Sequence, residues 1–334
     1  MSFDMATAET LVARYPARTV RVGHGAGRAV SYREAGSDRA GGDRAGGDRA
    51  GSDRAGSGRA DSGRADSGPA GARVGTPASG LIRAPIVVLL HGIGSQSGSW
   101  VLQMDSLARQ FRVIAWDAPG YGGSDPLDIA TPAAAHYADI LGGFLDALGA
   151  TRAVLVASSL GALMAGALAA RRPGLVAGLV LLNPAPGYGL AAAREREEKL
   201  AARLDRLDRL GPAGMARELS PGMLSDNAPP EAQALAAWST SVLRPDGYRQ
   251  AAHMLAGGRL IEDAARYAGP VSVIAGSADT ITPPAGCEAV ARAFPHAGFR
   301  VLAGVGHLSY LDAAEKVSGL IAAFADKHLQ PSPQ

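Results

Sequence analysis

Apolar positions follow two rhythms along this chain. Short, nearly charge-free runs at residues 86–90, 112–115, 153–157, 179–182, 271–275 and 299–302 read as β-strands buried on both faces. Between several of them the spacing changes to that of amphipathic helices, most clearly at 132–148, 160–171 and 313–324. Residues 19–22 and 29–33 read as an opening β-hairpin turned at 23–27. Strand alternating with helix predicts an α/β architecture, a mostly parallel sheet covered by helices on both faces.

Two segments break the rhythm. From residue 36 to 71 the text is a degenerate five-residue repeat of the form [GS]-D-R-A-G with no large apolar side chain, so it cannot bury a core and is expected to be disordered. Six arginines (39, 44, 49, 54, 59 and 64) are balanced there by six aspartates (38, 43, 48, 53, 61 and 66), which makes the segment a poor ligand for a polyanion. From 184 to 267 the strands stop and the sequence turns helical, with Pro212, Pro221, Pro229, Pro230 and Pro245 as helix boundaries. A helical excursion between two sheet strands predicts a lid. The expected plan is an N-terminal segment with its hairpin (1–35), the low-complexity insert (36–73), a first core part (74–183), the lid (184–267), a second core part (268–328) and a tail (329–334).

Composition narrows the partners. Of 334 residues 47% are apolar and 19% charged, ordinary for a globular chain, and the net charge of +2 supplies no basic field for nucleic acid or an anionic membrane. The first 18 residues carry Asp4, Glu9, Arg14 and Arg18 without an uninterrupted apolar stretch, and no apolar run reaches a membrane-spanning length. A cytoplasmic protein is expected. The single cysteine, Cys287, excludes an internal disulfide or a CxxC site and is expected to be a small buried thiol. No HExxH, P-loop or strand-to-helix GxGxxG occurs, so neither a metal nor an organic cofactor is expected.

The chemistry-bearing residues gather at predicted strand ends. VLVASSLGALMAGALAA is a strand, a tight turn and a small-residue helix, with Ser159 at the centre of Ala157-Ser158-Ser159-Leu160-Gly161. A second strand ends in His91-Gly92-Ile93-Gly94, whose glycines free the backbone to aim amides at one point. Trp116 to Asp125 (WDAPGYGGSD) forms a third turn; Asp279 follows the strand VSVIAG, and His307 lies in Gly304-Val305-Gly306-His307-Leu308 after the last strand. Together these stretches resemble the α/β-hydrolase family. Ser159 matches its nucleophile elbow, G-x-S-x-G, with Ala157 in place of the first glycine, and the order Ser159, Asp279, His307 is that family's chain order.

The resemblance implies a fold of that type and a Ser159–His307–Asp279 triad working by an acyl-enzyme. The N–H groups of Ile93 and Leu160 would form the oxyanion hole, with His91 shaping its loop and Asp117 architectural. Gly94, Trp238 and His253 are candidates for the substrate pocket, although core packing is the commoner role for Trp238 and His253. A serine rather than an aspartate nucleophile disfavours dehalogenase and epoxide hydrolase chemistry. The expected substrate is a small-molecule ester or lactone. C–C bond hydrolysis of meta-cleavage type ranks second, and acyl transfer or non-catalytic ligand binding remain open.

Overall fold

The computed structural model describes residues 3–23, 27–36 and 85–329; the repeat segment, His24 and the last five residues lie outside them. Among the described residues eight strands form one sheet: β1 (Arg18–Val22), β2 (Arg28–Ala35), β3 (Ile86–Leu90), β4 (Arg112–Trp116), β5 (Ala153–Ser158), β6 (Val176–Leu182), β7 (Val271–Gly276) and β8 (Ala297–Leu302). Their order is β1-β2-β4-β3-β5-β6-β7-β8. β1 and β2 pair antiparallel with each other, as do β2 and β4; every other pairing is parallel. Every strand predicted from the apolar runs is present.

Helices complete the layers: α1 (Met5–Ala13), α2 (Val101–Leu107), α3 (Ala134–Ala147), α4 (Gly161–Arg171), α5 (Ala193–Leu219), α6 (Pro230–Ser241), α7 (Pro245–Gly257), α8 (Leu260–Ala264), α9 (Pro284–Ala293), α10 (Ser309–Asp312) and α11 (Ala314–Leu329). The two-residue alternation of a strand divides the core in two. Val88, Leu90, Leu155, Ala157, Leu179 and Leu181 pack with α3 and α4, whereas Val87, Leu89, Val154, Val156, Val180 and Leu182 pack with α2 and α11. β3, β5 and β6 are buried along their whole length, which is why they read as continuous apolar runs. α1, α2 and α9 have no counterpart among the helices expected from the sequence.

Helices α5 to α8 fill the stretch between β6 and β7. α5 bends at Gly211 (φ 58°, ψ 177°), followed by Pro212, which cannot continue the amide ladder. The insertion is fastened to loops at the carboxyl edge of the sheet. Thr240 donates to the Gly94 carbonyl (2.9 Å), Leu308 N–H to Met223 (2.9 Å), and Ser225 to the Asp312 carboxylate through both its N–H (2.9 Å) and its hydroxyl (2.8 Å). No helix among the described residues is long and apolar enough to cross a membrane.

Candidate active site

The chain leaves β3 toward β4 on one side and returns to β5 on the other. Adjacent strands whose connections run in opposite directions open a crevice beyond their carboxyl ends, the position where α/β sheets hold ligands. Ser159 stands there, one residue past β5. Its φ of 50° lies in the left-handed region, a strain of about 1–3 kcal/mol for a non-glycine residue. The surroundings hold it: its N–H donates to Leu182 (2.9 Å) and its carbonyl accepts from Ala162 and Ala185 (both 3.1 Å). Gly161 permits the turn, since a Cβ there would come within 2.7 Å of the Leu90 carbonyl. The Ser159 hydroxyl forms no hydrogen bond among the described residues and borders a cavity of about 520 Å³. Ser158, one residue earlier, is fully buried and turned into the sheet layer.

Ile93 and Leu160 present their amides by a common device. A trans peptide sets each N–H opposite the preceding carbonyl. The Gly92 carbonyl accepts from Ser95 N–H (3.2 Å) and from His91 Nδ1 (2.8 Å), so the Ile93 N–H faces away from them. The Ser159 carbonyl is engaged as described, so the Leu160 N–H likewise faces away, at the positive end of α4. Neither N–H donates a hydrogen bond among the described residues. Two residues that the sequence had not singled out brace this loop: the Tyr121 hydroxyl donates to the Ile93 carbonyl (3.0 Å), and Thr240 to Gly94.

His91 has no free nitrogen for proton transfer. Its Nδ1 donates to Gly92, its Nε2 accepts from Ala118 N–H (3.0 Å), and burial pulls its pKa down, so the ring is a neutral strut between two loops. Asp117 is buried and accepts from Ser31 Oγ (2.5 Å) and Ser97 N–H (2.8 Å).

Asp279 and His307 meet because β7 and β8 are neighbours. The His307 loop lies directly on Gly276, where a Cβ would approach the Val305 carbonyl to 2.2 Å. His307 Nδ1 is 2.8 Å from Asp279 Oδ2, and both side chains are almost fully buried. Around this contact both carboxylate oxygens of Asp279 are filled. Asp279 Oδ1 accepts from the N–H groups of Ile281 (2.8 Å) and Thr282 (3.0 Å), while Oδ2 also accepts from Asn183 Nδ2 and Thr282 Oγ1 (both 2.7 Å). Burial pushes the Asp279 carboxyl up, but the hydrogen bond and charge of His307 and the bonds from Thr282 outweigh it and hold the group well below its ordinary value. Motif reading does not reach Asn183, which follows a different strand, or Thr282, which lies three residues past Asp279 but belongs to no motif. Cys287 is buried beneath this loop with its Sγ 3.2 Å from the Thr282 carbonyl; burial first, then the Asp279 charge, pushes its thiol up to about 12.

Ser159, His307, Ile93 and Gly94 all border the cavity, and Trp238 and His253 do not. The Trp238 ring lies over Gly98 instead, where a Cβ would be 2.6 Å from it, and the cavity walls on α6 and α7 are Thr240, Tyr248 and Leu255. Each misplaced residue lies two positions from a wall residue, about 200° around a helix, so it faces another way. Among the described residues no group of three or more His, Cys, Asp or Glu could hold a metal ion.

The chain is similar to known proteins. Residues 85–314 match the alpha/beta hydrolase fold family. The chain is 30% identical over 257 residues to the dihydrolipoyllysine-residue acetyltransferase component of the acetoin cleaving system of Cupriavidus necator, covering 74% of this chain and spanning 64% of that one. It is also 30% identical over 261 residues to the pimeloyl-[acyl-carrier protein] methyl ester esterase of Xanthomonas axonopodis pv. citri, across 72% of this chain and 94% of the relative. The crystal structure of the enol-lactonase from Burkholderia xenovorans LB400 superposes with a TM-score of 0.70 at 21% identity, covering 92% of this chain and 100% of that one. With eight strands in one mostly parallel sheet, a strained serine after β5 and a family match over most of its length, the chain belongs to the α/β-hydrolase fold family.

Proposed function

We propose that the protein is a serine hydrolase that cleaves a small-molecule carboxylic ester or lactone. The observation that carries this reading is the unequal treatment of donors around one cavity. His307 is fixed at Nδ1 by a fully hydrogen-bonded Asp279, whereas the Ser159 hydroxyl and the N–H groups of Ile93 and Leu160 have no partners among the described residues.

With Nδ1–H given to Asp279, the unprotonated nitrogen of His307 is Nε2, the base that takes the Ser159 proton as Oγ attacks a carbonyl carbon. Charge developing on the carbonyl oxygen is met by the Ile93 and Leu160 N–H groups, an arrangement worth about 3–4 kcal/mol per donor in comparable sites. The imidazolium then protonates the leaving alcohol, and the same base activates the water that releases the acyl group. The relatives named an esterase and an enol-lactonase support the ester and lactone class.

The test is labelling by a fluorophosphonate probe, with the modified peptide mapped by mass spectrometry beside a Ser159→Ala variant. Labelling confined to Ser159 and absent from the variant is expected, followed by turnover of short esters or enol-lactones. Labelling at another serine, or none in a folded sample, would overturn the reading.

A further inference from the structure

The cavity wall supplied by α5 carries charge that the proposed chemistry does not use. The first half of that helix is dense in arginine and carboxylate, and several of its charges are paired. Arg194 meets Glu198 (2.7 Å), Arg209 meets Asp205 (2.8 Å), and Asp208 receives Arg249 from α7. Arg203 and Arg206 differ: both line the cavity, both are partly buried, and neither forms an ion pair with a carboxylate among the described residues. They are three positions apart and therefore share one face of the helix.

Their neighbours define a site. Arg203 lies 5.6 Å from the centre of the Tyr188 ring and, among the described residues, hydrogen-bonds only to the Lys199 carbonyl, at 3.4 Å. Arg206 forms no hydrogen bond among the described residues. Tyr248, on α7, completes the group: its ring is buried, its hydroxyl has no hydrogen-bond partner among the described residues, and both arginines act on it electrostatically. Burial pushes the Tyr248 phenol up and the two positive charges pull it back down. Elsewhere the wall is largely apolar, with Pro184, Ala185, Met215, Leu219 and Leu255. Glu218 is the one carboxylate on this wall, exposed and beyond the bend of α5, and it pairs with neither arginine. Partly dehydrated guanidinium groups without counter-charges are costly unless a ligand supplies the anion.

We infer that Arg203, Arg206 and Tyr248 form a binding site for a carboxylate at the far end of the substrate, so that the ester or lactone cleaved at Ser159 is itself a carboxylic acid. This rests on the proposed hydrolase reading for the position of the reacting bond. The apolar wall then holds the carbon chain between carboxylate and scissile carbonyl, and its length selects the substrate.

The experiment separates binding from turnover. Ser159→Ala protein is titrated calorimetrically with the monomethyl esters of straight-chain diacids of four to eight carbons and with the matching uncharged methyl esters. At least one acid ester is expected to bind at least tenfold more tightly than its neutral counterpart, with a preferred chain length and with the advantage shrinking as salt rises. Adding Arg203→Met and Arg206→Met, which keep most of the stem volume, should reduce that ratio to near one, while Arg209→Gln, whose partner is Asp205, should change it less than twofold. Equal binding of acid and neutral esters across the series, or a ratio indifferent to the two arginines, overturns the inference. Wild-type protein that fails to label at Ser159 overturns the hydrolase reading instead, and the calorimetric outcome distinguishes the two failures.

Discussion

The two sides of the cavity are built on opposite principles. On the β7–β8 side, functional groups are side chains whose hydrogen-bonding capacity is nearly exhausted: Asp279 alone accepts from Ile281, Thr282, Asn183 and His307. On the β3–β5 side, the candidate donors are backbone amides and a hydroxyl that have no partner among the described residues, and the saturation is displaced onto the carbonyls behind them, those of Gly92, Ile93, Gly94 and Ser159. The contrast follows from the proposed tasks. A base must be held in one tautomer and one orientation, which saturation achieves, whereas a group that meets charge only in the transition state must have no partner in the resting protein.

The severest break on the saturated side is Asp279→Asn. It replaces an acceptor by a donor opposite His307 Nδ1 and should lower kcat on a responsive ester by about 10⁴-fold, measured at saturating substrate. The same variant sharpens the electrostatic argument. Because the folded state holds Asp279 below its ordinary value of 3.8, the carboxylate contributes stability above that pH and loses it as the pH falls further. The Asp279→Asn and wild-type proteins should therefore converge in thermal stability on acidification; a gap that stays constant down to the acid transition would remove the electrostatic account.

A smaller effect is expected at Thr282. Its hydroxyl donates to Asp279 Oδ2 and lies 3.1 Å from His307 Nδ1. Thr282→Val leaves one acceptor short in a buried network, which at about 1–3 kcal/mol corresponds to a roughly 10- to 100-fold fall in kcat. Thr282→Ser should restore most of it and return the pH–rate profile to that of the wild type. Loss of activity in the serine variant as well would point to packing of the methyl group rather than the hydroxyl.

The smallest change is predicted on the open side. Tyr121→Phe removes the hydrogen bond to the Ile93 carbonyl while leaving the Ile93 N–H in place, so kcat should drop by only about 2- to 10-fold with KM nearly unchanged. A rise in KM without loss of kcat would mean that Tyr121 shapes the pocket and not the loop amide.

Legibility in the sequence followed the range of the interactions. The strands could be read because each buried run is continuous, and the candidates Ser159, Ile93 and Leu160 could be proposed because a strained turn and a glycine loop are local demands written into a few successive residues. His307 and Asp279 could be ranked among their kind by their strand-end settings. Asn183, Tyr121 and Arg206 carry no local signature, since each matters through a partner brought near by another element, and Thr282, although bonded to Asp279 three residues away, belongs to no motif. Trp238 and His253 failed for a related reason: an amphipathic pattern shows that a helix has a buried face but not whether cavity or core lies against a given residue.

What the sequence by itself determined is therefore the alternation of strand and helix, the positions of the turns, and the residue types available at each strand end, all of which depend on neighbours within a few residues. Tertiary structure alone decided which strands became adjacent, and so which loops share the crevice. It also decided which carbonyls are occupied and, among the described residues, which amides have no partner and which two arginines of a charged helix face the cavity without a counter-ion. Those outcomes arise from contacts between segments far apart in the chain, where geometry and burial, rather than local spacing, set the balance of hydrogen bonding and charge.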